Sequence, residues 1–112
     1  MLIDWSRIEI LDDPDEPDWL KGIIKDLVID IDTKILEISS LIEKNEADKL
    51  RALLHQMKGV SGNFGFIQFH EICLNSETLL KEGNHPSGYS RAKDLFEIWK
   101  STKAELNKKF HF

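Results

Sequence analysis

Chemistry in this chain centres on the segment His55-Gln56-Met57-Lys58-Gly59-Val60-Ser61-Gly62-Asn63-Phe64-Gly65. The apolar residues around it, Leu50, Leu53, Leu54, Met57 and Val60, recur with the period of an α-helix. On a wheel of about 100° per residue, His55 falls roughly 170° from the centre of that stripe. The imidazole therefore faces solvent. Its neighbours at i−3, i+4 and i+7 are Ala52, Gly59 and Gly62, all small. Glycine inside a helix costs about 1 kcal/mol relative to alanine. The sequence thus predicts an open surface around the ring, bounded by Arg51, Ala52, Gly59 and Gly62, against which a partner docks. Lys58, one turn on, reaches the same region.

An exposed neutral imidazole is a nucleophile that can attack phosphorus. A phosphoryl group carries about two negative charges, which Lys58 can offset. In-line transfer needs close approach of the partner's phosphorylated group more than it needs a pocket. Each residue also has a plainer reading: a solvated histidine, a surface lysine, glycines that merely end a helix. Gly59 resists that reading, because it falls inside the helical period.

The rest of the chain must hold this surface in place. At 112 residues it is long enough for one core, so one domain over residues 1–112 is expected. Fifteen Lys and Arg against twenty Asp and Glu give a net charge of −5, which argues against nucleic acid as partner. The one cysteine, Cys73, permits no intrachain disulfide and sits on an apolar stripe as a core residue. A reduced, cytoplasmic setting fits. The N-terminus has no signal-peptide pattern, and charges interrupt the apolar run from Leu20 to Leu41, so no membrane association is expected.

Almost every segment has helical period. A short helix is predicted from an Asp4 cap through Ile10, ended by Asp12-Asp13-Pro14-Asp15-Glu16-Pro17. Pro17 suits the first turn of a second helix running from about Asp18 to Glu43, whose stripe is Leu20, Ile24, Leu27, Ile31, Ile35, Ile38 and Ile42, widened by Ile23, Val28, Leu36 and Leu41. After Lys44-Asn45, a third helix runs from Glu46 to between Gly62 and Gly65. A fourth carries Phe66, Phe69, Ile72, Cys73, Ser76, Leu79 and Leu80 on one face. Gly83 to Gly88 reads as a loop, and a last helix runs from Tyr89 to Lys109. The fold class is all-α: an antiparallel four-helix bundle with a short extra N-terminal helix.

His55-x-x-Lys58-Gly59, with Gly65 ten positions after the histidine (65 − 55), resembles the histidine-containing phosphotransfer (HPt) domains. Phe69, Ile72, Cys73 and Glu77 extend the similarity into the next helix; Val60 and Ser76 depart from the usual residue types. The resemblance implies a four-helix bundle, a phosphorylatable histidine and no ATP site of its own, hence a phosphoryl carrier without kinase activity. It implies no cofactor, with Mg²⁺ carried by the partner: a response-regulator receiver domain, a hybrid sensor histidine kinase, or both. A monomer is expected. Glu77, 22 positions after His55 (77 − 55), matches the place where the family often has a carboxylate or amide supporting the ring. Its role would be to fix the tautomer; the plainer alternative is a solvated glutamate. Two other functions stay open: a non-catalytic helical adaptor using the same face, and a phosphoacceptor segment of the chemotaxis-kinase type fed in trans. His55, His70 and His85 lack the i, i+4 spacing of a helical metal site.

Overall fold

The structure, a computed structural model, describes residues 1–112 and contains five helices with no strand. They are α1 (Trp5–Glu9), α2 (Trp19–Glu43), α3 (Ala47–Asn63), α4 (Ile67–Lys81) and α5 (His85–Phe110). Helices α2 to α5 form the predicted antiparallel bundle. Each packs on two neighbours in the cyclic order α2, α3, α4, α5. The molecule is elongated, 48 × 21 × 19 Å, because its longest helices span most of it.

Asp4 caps α1 as its side chain accepts from the Ser6 amide. Pro17 lies outside α2, not in its first turn: Asp18 is the N-cap, and the first α-type bond runs from Gly22 N to Asp18 O. The turn closed by Trp19 N on Glu16 O delays the helix.

The three turns between bundle helices share one construction. Each helix ends with a left-handed residue: Asn45 (φ 56°), Gly65 (φ 73°) and Gly83 (φ 81°). The amide after it reaches back across the last turn. These bonds are Glu46 N to Leu41 O, Phe66 N to Ser61 O and Asn84 N to Leu79 O, at 3.0, 2.9 and 2.9 Å. This is the Schellman closure, which satisfies carbonyls the helix leaves orphaned.

The expected loop over Gly83 to Gly88 is corrected. Helix α5 begins at His85, four residues before Tyr89, with Pro86 in its first turn, where a missing N–H costs nothing. Gly88 is buried inside this helix. A Cβ there would stand 2.6 Å from Leu80 Cδ2, so the glycine admits close packing of α5 on α4.

The core holds Ile24, Ile31 and Ile38 of α2, Leu50, Leu54 and Met57 of α3, Phe69 and Cys73 of α4, and Leu95, Trp99 and Leu106 of α5. Phe66 and Phe69 pack on Trp99. Trp99 Nε1 and Lys103 Nζ both donate to Asp32 Oδ1, at 2.8 and 2.9 Å, tying α5 to α2. Leu36 does not widen the α2 stripe: it is 73% exposed. Ile35, next to it, packs against the core as the stripe requires.

Candidate functional site

Helix α3 positions His55 and Lys58, and α4 supplies the carboxylate of Glu77 that meets both. The His55 side chain is 68% exposed, as the wheel geometry requires. Its Nδ1 lies 2.8 Å from Glu77 Oε1 across the α3–α4 interface. Glu77 is largely covered, and its second oxygen, Oε2, lies 2.9 Å from Lys58 Nζ. One carboxylate thus spans the ring and the ammonium. Burial pushes the Glu77 carboxyl up, but bonds from Lys58 and His55 outweigh it and hold it below the ordinary glutamate range. An ionised Glu77 only accepts, so the proton in the bridge sits on Nδ1. Nε2 then carries the lone pair.

The small residues divide into three kinds. A Cβ on Gly59 would meet nothing within 4 Å, so position 59 is open surface. Gly62 is not open: a Cβ there would stand 3.1 Å from the ring of His70. Its smallness serves the contact between α3 and α4, which corrects the expectation that it clears space. Gly65 is buried in the turn, where a Cβ would stand 2.5 Å from Asp4 O; the Asp4 amide donates to its carbonyl at 2.7 Å. Arg51 and Ala52 are exposed on α3. With His55 and Glu77 they line a shallow depression of about 490 Å³ between α3 and α4.

Lys81 lines the same depression, and the sequence reading missed it. It stands four residues after Glu77 on α4, one helical turn away; that spacing was a usable signal once Glu77 was placed. The largest concavity, about 720 Å³, lies elsewhere, between α4, α5 and Met1. It mixes Glu71, Asp94 and Glu97 with Arg91 and Lys93 and holds no histidine or cysteine, so its size does not mark a site of nucleophilic chemistry.

The remaining candidates sort by contact. Cys73 is buried, and burial together with the nearby Glu77 charge pushes its thiol up to about 12, far from a reactive thiolate. His85 stands beside the Tyr89 ring at the start of α5, and His70 Nδ1 bonds the Lys58 main-chain oxygen. No helix is long and apolar enough to cross a membrane.

The chain is similar to a rice protein whose crystal structure is described as that of a candidate histidine-containing phosphotransfer protein. Identity is 19% and the TM-score 0.84, covering 98% of this chain and 80% of that one. At that identity the likeness speaks for the fold. A search of curated proteins finds no match. The Hpt domain model matches residues 22–104, most of the bundle and all of the His55–Glu77–Lys58 cluster. With a bundle of the same shape and a family model matched over most of its length, the chain belongs to the Hpt domain family, the histidine phosphotransfer modules of phosphorelays.

Proposed function

We propose that His55 is the phosphoacceptor and exchanges a phosphoryl group with an aspartate of a receiver domain. The observation that carries this reading is the bond between His55 Nδ1 and Glu77 Oε1 on a ring otherwise open to solvent. It leaves Nε2 as the attacking atom. The Nε2 lone pair forms the P–N bond while the P–O bond to the aspartate breaks, and the carboxylate leaves with that electron pair. The ring gains positive charge as the new bond forms. Glu77, accepting from Nδ1–H, stabilises it.

Lys58 has two roles in this reading. It keeps Glu77 ionised, and its charge lies one turn from the incoming phosphoryl group. Arg51 and Lys81 add positive charge along the depression. Gly59 provides the flat approach for the receiver, whose own acidic site supplies Mg²⁺. The protein acts as a monomeric phosphoryl carrier in the cytoplasm, charged by a hybrid kinase or receiver and without ATP chemistry of its own.

The test is incubation with acetyl-phosphate-charged receiver domains and Mg²⁺. The expected product is an acid-labile, base-stable adduct on the wild-type chain and none on His55→Gln. Label on the His55→Gln chain overturns the assignment.

A further inference from the structure

His70 makes a second contact between α4 and the segment that carries the site. It stands seven residues before Glu77 (77 − 70), two turns along the same helix face. Its Nδ1 lies 2.8 Å from the Lys58 main-chain oxygen. A carbonyl only accepts, so His70 donates through Nδ1–H. The Ser61 hydroxyl donates to the same oxygen at 3.1 Å. The ring reaches this position beside Gly62, where a Cβ would lie 3.1 Å from Nδ1 and 3.3 Å from Cε1.

Helix α4 therefore grips Lys58 at both ends, its main-chain oxygen through His70 and its ammonium through Glu77. Lys58 is one turn from His55 on the same rigid helix. These two points constrain how α3 slides and turns on α4, and the carboxylate at the second is the one that also meets His55 Nδ1. A hydrogen bond prefers a donor angle above about 150° and weakens steeply below about 120°, so a slide or turn of α3 on α4 that tilts the ring against the carboxylate changes what Glu77 does for His55.

We infer that His70 is a positioning residue for phosphoryl transfer. Its bond to the Lys58 carbonyl sets the α3–α4 register that brings Glu77 onto His55 Nδ1, and Gly62 is the space that admits its ring. This inference rests on His55 being the phosphoacceptor, but its geometric half can be read without any transfer. His70 touches neither His55 nor the depression beside it, so its effect passes through the helix pair.

The experiment compares the full chain with His70→Ala, His70→Asn and Gly62→Ala. Asparagine retains an N–H donor near the place of Nδ1; alanine at 62 favours helix while crowding the His70 ring. Two-bond ¹H–¹⁵N correlation spectra report the neutral tautomer of His55. Wild type and His70→Asn are expected to hold the Nδ1–H form, and His70→Ala and Gly62→Ala to shift His55 toward Nε2–H. Transfer from a charged receiver is expected to fall about tenfold in both of these variants and to recover with asparagine, while receiver affinity stays within about twofold. An unchanged His55 tautomer in His70→Ala and Gly62→Ala, even with a lowered melting temperature, overturns the inference and leaves His70 a stabilising contact. Should the tautomer respond while the wild-type chain takes no phosphoryl group, the coupling stands and the phosphoacceptor reading falls.

Discussion

At the scale of single residues, one carboxylate organises the site. Glu77 accepts from His55 and pairs with Lys58, so its variants separate two contributions. Glu77→Gln keeps an acceptor oxygen for Nδ1–H but loses the charge that faces Lys58. Glu77→Ala loses both. Transfer rates from a charged receiver are expected to fall in the order wild type, Gln, Ala, by about 10- to 100-fold for alanine. Equal rates for all three would reduce Glu77 to a structural glutamate. Lys58→Ala is expected to slow transfer by about tenfold, ~1.4 kcal/mol, with helicity by circular dichroism unchanged. His55 and Lys58 could be picked out along the chain because a spacing of three puts them one turn apart on the same helix, whereas Glu77 came only from the family resemblance. The pairing of Lys58 with Glu77 could not, since that depends on where α4 crosses α3.

At the scale of elements, the glycines separate by what surrounds them. Gly59 faces open space within a helix, so Gly59→Ala is expected to raise stability by up to about 1 kcal/mol. Gly88 faces Leu80 Cδ2 and Cγ at 2.6 and 2.8 Å. Gly88→Ala is expected to lower stability by about 1–3 kcal/mol despite alanine's better helix propensity, because overpacking outweighs it. Thermal melts of the two variants, moving in opposite directions, check both. Gly59→Leu is expected to block transfer by bulk while leaving the fold intact; unimpaired transfer would remove position 59 from the docking face. Helix existence and most boundaries could be read from apolar period and caps. The start of α5 could not: His85-Pro86-Ser87-Gly88 has loop composition, and only the packing against Leu80 makes a helical Gly88 necessary.

At the scale of the whole molecule, acidity should loosen the bundle through two bridging carboxylates. Burial raises Asp32, but bonds from Lys103 and Trp99 outweigh it and hold it below the usual aspartate value. Glu77 is lowered in the same way by Lys58 and His55. A carboxyl lowered in the folded state adds stability that is complete above its unfolded value, here 3.8 and 4.5, and is lost as pH falls through the folded one. The melting temperature of the wild type is therefore expected to drop as pH is lowered from about 5 toward 3. The double variant Asp32→Asn, Glu77→Gln should be less stable at neutral pH and lose less on acidification. Parallel pH curves for the two proteins would show that neither bridge is coupled to folding.

The amino-acid sequence by itself determined the helices, their amphipathic faces and the outward direction of His55, because all three follow from a period of 3.6 residues along a single chain. It also carried the family resemblance. Only the tertiary structure decided which small residues are open and which are filled. Gly59 lies bare and Gly62 meets His70, although the wheel placed both beside the His55 ring as cleared space, and Gly65, past the end of α3, lies under Asp4. It likewise decided that Leu36 faces solvent, that Lys81 borders the site and that Glu77 meets both His55 and Lys58. These are contacts between elements distant along the chain, set by how two helices cross and slide, and no local period encodes that register.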